Sequence, residues 1–214
     1  MIIQRFVKDD FGKEILIRDD NYQIMMEWEK PYMESIIDEV SPKGDVLEIG
    51  FGCGYSATRI QSYSPASHTI IECDPYVIER AKIWAQEYKN ITIIENTWQK
   101  SLHTTGKFDF IFFDDYPIEA LERTQENVFR NSIQDGRLYM FIDICIDLHM
   151  NDDAVLSSYM STPTSLFEVP RWRGSVINNP RIEYTEKIID IAVPENCNYF
   201  SGNKAVIPII RKKS

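Results

Sequence analysis

A turn rich in glycine is the first feature of this chain that could do chemistry. Gly50, Gly52 and Gly54 alternate with other residues directly after the apolar run Val46–Ile49. Glycine lacks a Cβ, so the first two positions let the backbone approach a ligand closely, and Gly54 lets a helix pack against the strand. The pattern predicts a strand, a ligand-binding turn and a helix that begins at about Tyr55.

An acidic residue follows at a distance that suits a nucleoside ligand. Glu72 ends the next apolar run, 18 positions after Gly54, and a carboxylate at that place accepts hydrogen bonds from ribose hydroxyls. A dinucleotide fits this geometry too, and a glycine turn without a ligand is a further alternative. The G-x-G-x-G spacing favours S-adenosylmethionine. Glu48 favours it as well, because a carboxylate two residues before the turn can face the ammonium group of a methionine moiety.

Two polar segments follow the next two predicted strands. Thr97 and Trp98 come after the third strand, where backbone amides could read an adenine ring and Trp98 could either wall the pocket or serve only in packing. Asp114 and Asp115 follow the fourth strand together with Tyr116, at the edge where ligands of open α/β sheets bind. Two carboxylates beside an aromatic ring suit a cation, although Asp115 could instead cap the helix that follows.

Strands and helices must alternate along the chain to position these residues. The predicted strands are Asp45–Ile49, Thr69–Glu72, Ile91–Ile94, Phe108–Phe113 and Arg137–Ile142, with helices from about Tyr55 and over Tyr76–Tyr88 and Ile118–Ser132 between them. This alternation predicts a parallel sheet with right-handed crossovers and helices on both faces. Glu183–Val193 and Asn203–Ile210 predict two last strands, which form an antiparallel hairpin and complete a seven-stranded α/β sheet.

The segment before this core is predicted to be helical. Apolar residues recur at helical spacing from Tyr22 to Val40, and Pro31 should begin a second helical segment or kink a single helix. No repeat, linker or low-complexity tract divides the chain, so we expect a single domain. Residues 1–43 would form an N-terminal helical lid region, and residues 44–214 a Rossmann-like core.

Composition narrows the classes of protein and of ligand. The 214 residues suffice for one α/β domain. The 33 acidic and 23 basic residues give a formal charge of −10, which repels phosphate backbones and disfavours nucleic acid as a partner. Four scattered cysteines and three distant histidines predict reduced thiols and no metal site. No apolar stretch would span a membrane and the charged N-terminus does not resemble a secretory signal, so we expect a cytoplasmic protein.

Five segments of the chain together point to a known family. They are MEWEKPYM (Met26–Met33), VLEIGFG (Val46–Gly52), IIEC (Ile70–Cys73), FDFIFFDDYP (Phe108–Pro117) and VPENCNYF (Val193–Phe200). From Ile24 to Ile210 the chain resembles the guanidinoacetate N-methyltransferase family, of the class I, S-adenosylmethionine-dependent methyltransferases. The first and fourth segments are specific to that family, and Thr97–Gln99 also resembles the related fungal arginine δ-N-methyltransferases.

The resemblance implies roles for particular residues. In that family a glutamate of the MEWEKPYM-like segment and the first aspartate of the DDYP-like segment hold a substrate guanidinium, which implies Glu29 and Asp114 as the catalytic pair here. A guanidinium has a pKa above ~12, and its nitrogens are poor nucleophiles while protonated. Two carboxylates can draw the charge away from the attacking nitrogen, hold it in line and take its proton. Contacts with S-adenosylmethionine are implied for Glu72, Cys73, Met26, Met33 and Asp114, and contacts with the substrate for Asp115 and Tyr116.

Two departures from the family bear on the substrate. The family has a Thr-Ser pair after the fifth strand that holds the guanidinoacetate carboxylate, and this sequence has Ile144 and Cys145 at the matched substrate-binding position. The family's longer N-terminal lid is replaced by the short segment Met1–Asp20. We therefore expect another guanidino or amidino compound, such as an arginine-like one. Arg171 or Arg173 would then serve as a new carboxylate anchor, or both would lie in a solvated loop.

Three functions remain open at this point. The favoured one is N-methyl transfer to the guanidino group of a small cationic substrate, by a monomer or homodimer. Aminopropyl transfer, as in polyamine synthases, uses a related fold with acidic residues around an amine, and the MEWEKPYM segment weighs against it. A non-catalytic S-adenosylmethionine-binding subunit would keep the glycine turn without a substrate site, and the presence of both Glu29 and Asp114 weighs against that.

Overall fold

Strands are the main elements of the structure, a computed structural model that describes residues 4–116, 133–161 and 163–214. They are β1 (Gln4–Lys8), β2 (Glu14–Arg18), β3 (Gln23–Met26), β4 (Asp45–Ile49), β5 (Ser67–Glu72), β6 (Ile91–Glu95), β7 (Phe108–Phe113), β8 (Met150–Ser158), β9 (Ile182–Asp190) and β10 (Lys204–Lys212). Seven of them form one sheet in the order β6-β5-β4-β7-β8-β10-β9. The first five in this order are parallel, and β10 runs antiparallel to β8 and β9. This confirms the predicted Rossmann-like sheet with a C-terminal antiparallel hairpin.

Helices cover both faces of this sheet. They are α1 (Lys30–Val40), α2 (Tyr55–Ser62), α3 (Pro75–Ala85), α4 (Trp98–Ser101) and α5 (Ile133–Leu148). Residues alternate along each strand between two cores, so that Val46 and Phe110 pack with α1 and α2, whereas Leu47 and Ile111 pack with α5. Because both faces are covered, a ligand reaches the sheet at the ends of its strands.

The predicted fifth strand, Arg137–Ile142, is wrong. These residues belong to α5, and the fifth strand of the sheet is β8. The buried side chains of α5 recur at helical spacing, at Leu138, Phe141, Ile142, Cys145 and Ile146. The six residues of the predicted strand span too little of the helical repeat for their apolar pattern to distinguish a helix from a strand. The predicted helix Ile118–Ser132 lies outside the described residues.

The N-terminal segment forms a small sheet before it becomes helical. β1, β2 and β3 make an antiparallel three-stranded sheet, and β3 takes up residues that the sequence predicts as helical. Four residues with an apolar pattern suit a strand as well as a helix, and pairing with β2 decides between them. α1 begins only at Lys30, with Pro31 in its first turn, where the missing proline N–H is not needed. Pro31 therefore marks the beginning of a helix, as predicted.

Two further properties concern the described part of the chain. None of the helices within it is long and apolar enough to cross a membrane. Across residues 4–116, 133–161 and 163–214, no three His, Cys, Asp or Glu side chains gather in a group that could hold a metal ion.

Candidate active site

The turn after β4 is locked to the end of β7 by main-chain contacts. Gly50 has a φ of +82°, and a Cβ at this position would lie 2.3 Å from the carbonyl oxygen of Asp114. The Asp114 N–H donates to the Ile49 carbonyl oxygen at 3.0 Å. Only glycine fits here, because it has no Cβ to clash and adopts a positive φ without strain. The glycine turn and Asp114 therefore lie side by side at the carboxyl edge of the sheet. The backbone at Gly50 carries no side chain, so a cofactor can approach it.

Glu72 is held at the end of β5, beside this turn. Its Oε2 accepts the Phe51 N–H at 2.8 Å, and its Oε1 accepts the N–H groups of Cys73 and Asp74 at 2.7 and 2.9 Å. Burial raises the pKa of this carboxyl, and the three N–H groups oppose the shift. The structure thus brings Glu72 to the glycine turn, and Oε2 keeps a lone pair for a ribose hydroxyl.

Glu48 has partners that the sequence does not reveal. Its side chain is fully buried, one oxygen accepts a hydrogen bond from the Ser56 hydroxyl, and the other lies 2.9 Å from His68 Nε2. Ser56 belongs to α2, and His68 to the neighbouring strand β5. Each carboxylate oxygen thus has one partner within the fold, and the predicted contact of Glu48 with a methionine ammonium group stays a prediction.

Glu29 lies directly before α1 and is almost fully buried. Its Oε1 accepts the Met26 N–H at 2.9 Å and a hydrogen bond from the Tyr199 hydroxyl, which ties the N-terminal segment to the loop before β10. Burial raises the pKa of Glu29 to about 7, although these hydrogen bonds lower it. A carboxyl with this pKa can exchange a proton near neutral pH.

Asp114 shares the environment of Glu29. Burial raises the pKa of Asp114 well above its ordinary value, and the next causes are all carboxylates, with Glu29 first among them. The negative charge of Glu29, which lies before α1, thus acts on Asp114 at the end of β7. A cation between two carboxylates would relieve such a repulsion, and the joint action of Glu29 and Asp114 stays a prediction.

Three tyrosines enclose the carboxylate pair. Tyr199 donates to Glu29, and the rings of Tyr32 and Tyr159 lie 5.4 Å apart. Burial, followed by the negative charges of Glu29 and Asp114, raises the pKa of both Tyr32 and Tyr159, so the hydroxyls stay neutral. Sequence reasoning missed all three residues, although Tyr199 lies in the VPENCNYF segment, which could have identified it.

The two residues after Asp114 have different partners. Asp115 forms a partly buried ion pair with Arg137, whose Nε donates to Asp115 Oδ2 at 2.8 Å. The Tyr116 hydroxyl accepts a hydrogen bond from Arg18 on β2 at 2.7 Å. Arg137 neutralises Asp115, so Asp114 is the acid of this pair that suits a cationic substrate. Substrate contacts of Asp115 and Tyr116 stay predictions.

Trp98 packs in the core, which is one of the two roles that the sequence leaves open. Thr97 directly precedes α4 and Trp98 begins it, at the carboxyl edge of the sheet. The indole is buried in the core on the α5 face, and its Nε1 donates to Asp115 Oδ2 at 2.7 Å. Trp98 thus packs and also fixes an acid at the edge, whereas contacts of Thr97 and Trp98 with an adenine stay predictions.

Met25 is the methionine that contacts the glycine turn. The Cys53 N–H donates to the Met25 Sδ at 3.2 Å, and a Cβ on Gly52 would lie 2.9 Å from the same sulfur. Met26 packs with the N-terminal sheet, and Met33 is fully buried on α1. β3 therefore covers the glycine turn. The sequence does not reveal the contact of Met25, because a helix is predicted here and a helix would direct the Met25 side chain differently from a strand.

The departure noted at Ile144 and Cys145 is an error of position. Both residues lie in α5, and Cys145 is fully buried in the core on the sheet face opposite α1, so neither follows the fifth strand. The residues that do follow β8 are Tyr159, Met160 and Ser161. Ile144 and Cys145 are therefore withdrawn as substrate-binding residues.

The two arginines considered as carboxylate anchors lie beyond β8. The Arg173 guanidinium donates to the Phe167 carbonyl oxygen at 2.6 and 3.0 Å, and the residue is exposed. The side chain of Arg171 lies outside the described part of the chain. A substrate carboxylate at Arg173 would compete with this carbonyl oxygen, so the anchor role stays a prediction.

An apolar cleft of about 590 Å³ opens at the same edge of the sheet. Met26, Trp28 and Tyr32, which flank Glu29 in the sequence, line one side, and the segment after β9 lines the other. The cleft leaves room for a small molecule next to the residues that position Glu29.

The raised pKa of Glu29 predicts a pH-dependent stability. A carboxyl whose pKa rises from 4.5 to about 7 on folding stabilises the protein below pH 4.5, and this contribution is lost as the pH rises through 7. Glu29→Gln keeps an oxygen for the Met26 N–H but has no proton to lose. We expect the variant to gain about 3 kcal/mol relative to the wild type between pH 4.5 and pH 8, measured by urea unfolding.

The matched control is Glu79→Gln, because Glu79 has a side chain that is 71% exposed. Its stability should follow that of the wild type at both pH values. If the free energy of unfolding of Glu29→Gln and of the wild type changed with pH in parallel, burial would not raise the pKa of Glu29, which would contradict the prediction.

The sequence matches a described protein family over most of its length. A family model described as guanidinoacetate N-methyltransferase matches residues 8–213. Protein arginine N-methyltransferase 2 of Candida glabrata is 36% identical over 112 residues, which cover 49% of this chain and 27% of that protein. The corresponding protein of Aspergillus fumigatus is 30% identical over 154 residues, which cover 67% of this chain and 36% of that protein. The chain thus spans only about a third or less of these relatives.

Solved structures show the same fold at low sequence identity. Spermidine synthase from Thermotoga maritima has a TM-score of 0.66 and 17% identity, with 98% of this chain and 70% of that chain covered. The O-methyltransferase TomG from Streptomyces achromogenes, solved in complex with S-adenosylmethionine, has a TM-score of 0.62 and 12% identity, with 86% and 80% covered. At these identities the likeness establishes the fold alone.

Proposed function

The chain belongs to the guanidinoacetate N-methyltransferase family, and from that premise we propose that it transfers a methyl group from S-adenosylmethionine to a guanidino nitrogen of a small molecule. The observation that carries the proposal is the electrostatic effect of the Glu29 carboxylate on Asp114. Burial and repulsion by Glu29 raise the pKa of Asp114, and burial raises that of Glu29. A guanidinium cation between the two carboxylates offsets the cost of burying their charges and the repulsion at Asp114, because it neutralises the charges and offers N–H donors to each carboxylate.

The residues around the glycine turn fit the cofactor. The bare backbone at Gly50, where a Cβ would clash with Asp114, and the Glu72 carboxylate beside it would hold the nucleoside part. Bound S-adenosylmethionine would supply a methyl group on a positively charged sulfur. Asp114 is joined to the turn through the main chain, so whatever the turn binds lies next to the carboxylate pair.

The protein's own residues then prepare the nucleophile. Glu29 and Asp114 bind the guanidinium, orient it towards the glycine turn and keep its charge on the nitrogens that do not react. One of the carboxylates accepts the proton that the attacking nitrogen loses, and Glu29, with a pKa of about 7, is suited to this role. The enclosing tyrosines exclude water, which strengthens these interactions.

The substrate's other end would lie near the residues after β8. With Ile144 and Cys145 withdrawn, one of the two objections to a guanidinoacetate-like compound no longer applies, and the loop after β8 carries the hydroxyl of Ser161. Both guanidinoacetate-like and arginine-like compounds therefore remain within the proposal. The −10 charge of the chain supports a small cationic substrate rather than nucleic acid.

The experiment that tests this function is a substrate panel with labelled S-adenosylmethionine. Arginine, guanidinoacetate, agmatine and an arginine-containing peptide are incubated with the purified chain, and the products are identified by mass spectrometry. We expect at least one guanidino compound to gain the mass of a methyl group. Cofactor binding without methylation of any compound would favour a non-catalytic subunit, and an aminopropyl adduct would favour the polyamine synthase class.

A further inference from the structure

The hydroxyls of the three enclosing tyrosines are not used in the same way. Tyr32 donates to the Val206 carbonyl oxygen at 2.6 Å and accepts the Met160 N–H at 3.2 Å. Tyr199 donates to Glu29. The Tyr159 hydroxyl is buried and has no hydrogen-bond partner among the described residues. Tyr159 is thus the member of this group whose polar atom still requires a partner.

The position of Tyr159 shows where that partner would lie. The residue follows β8 directly, at the carboxyl edge of the sheet, and its ring packs against Tyr32. The Tyr159 N–H donates to the Phe113 carbonyl oxygen at 3.2 Å, which places the residue directly beside Asp114. Tyr32, against which its ring packs, lies in the first turn of α1, which follows Glu29, and the Tyr159 hydroxyl lowers the pKa of Glu29. The buried hydroxyl therefore lies near both carboxylates.

A monosubstituted guanidinium has five N–H donors in one plane. Asp114 can accept two parallel N–H groups along one edge of the cation. In Glu29, Oε1 already accepts the Met26 N–H and the Tyr199 hydroxyl, so only the two lone pairs of Oε2 remain for two further N–H groups. The fifth N–H needs another acceptor, because an unmade hydrogen bond in a buried site is costly. A neutral phenol oxygen can accept this N–H and can direct its own proton to Glu29.

We propose that Tyr159 is a substrate-positioning residue whose hydroxyl accepts the remaining guanidinium N–H and thereby determines which nitrogen faces the methyl donor. This inference rests on the proposed function. Two carboxylates alone allow the planar cation to bind in more than one rotational setting. A third acceptor on a different edge removes this freedom, so Tyr159 controls the position of methylation as well as affinity.

The test is Tyr159→Phe, which removes one oxygen and keeps the ring that packs on Tyr32. We expect KM for the guanidino substrate to rise about 10- to 100-fold and the single product to become a mixture of methylated nitrogens, resolved by NMR. The affinity for S-adenosylmethionine should change less than about threefold. The matched control is Tyr63→Phe, because the Tyr63 hydroxyl bonds to Asp38 on the surface of α1; it should behave as the wild type.

The possible outcomes separate this inference from the proposed function. An unchanged KM together with an unchanged product would overturn the role of Tyr159, even if the wild-type protein methylates guanidino compounds. A loss of kcat and cofactor affinity with a lowered melting temperature would assign Tyr159 to structure alone and would also overturn it. Failure of the wild-type protein on the whole substrate panel would instead reject the proposed function.

Discussion

Asp114→Asn is expected to reduce turnover about 10²- to 10⁴-fold while the affinity for S-adenosylmethionine stays within a few-fold of wild type. Asparagine keeps the shape of the side chain and the main-chain bond to Ile49, which does not involve the carboxylate. It loses the negative charge that balances a guanidinium and the oxygen that can accept a proton. The measurement is kcat with a guanidino substrate, together with cofactor binding by calorimetry.

The control for this variant is Asp152→Asn, because Asp152 is an aspartate with a side chain that is 75% exposed. Its kcat should equal that of the wild type. If Asp114→Asn loses cofactor affinity in proportion to turnover, Asp114 serves the cofactor and not the guanidinium. If Asp114→Asn keeps full turnover, the carboxylate pair is not the catalytic centre.

Gly50→Ala is expected to destabilise the fold by at least about 2 kcal/mol and to lower cofactor affinity by more than about tenfold. An alanine Cβ would meet the Asp114 carbonyl oxygen at 2.3 Å, and this oxygen belongs to the main chain and cannot rotate away. The positive φ of Gly50 adds strain for any residue with a Cβ. Relief requires the turn and the end of β7 to separate, which displaces Asp114 as well. Thermal unfolding and cofactor titration measure the two effects.

Gly106→Ala provides the comparison for this prediction. A Cβ at Gly106 meets nothing within 4 Å, and its φ is outside the left-handed region. This variant should stay within about 0.5 kcal/mol of the wild type. Equal stability of the two variants would mean that the turn yields easily and does not hold Asp114 in place.

The parallel part of the fold was predictable because its signals are local. β4, β5, β6 and β7 are short apolar runs, each followed by a polar residue or a glycine, and the structure places all four where expected within about two residues. Glu72 and Asp114 could be placed for the same reason, since the carboxyl ends of parallel strands share one edge. The pairing of Glu29 with Asp114 required the family resemblance, because no local pattern joins these two segments.

The parts that could not be predicted depend on contacts between distant segments. β3 is a strand because β2 pairs with it, and Glu48 contacts His68 because β5 brings that residue beside it. The fifth strand was misplaced because a six-residue apolar window is consistent with both periods. The substrate anchor is expected directly after the fifth strand, so its predicted position depends on that strand. Tyr159 is not predictable from the sequence, because a tyrosine after a strand has no signal of its own.

The two halves of the proposed pocket differ in how freely they can change. The half that reads the guanidine is built into the main chain and into buried side chains, where most replacements disturb the sheet itself. The half that would contact the rest of the substrate is formed by connecting loops, in which replacements leave the sheet intact. Natural variation can therefore exchange the remote portion of the substrate while it preserves the reacting group. A laboratory search for altered specificity should first randomise the loop after β8 beyond Tyr159.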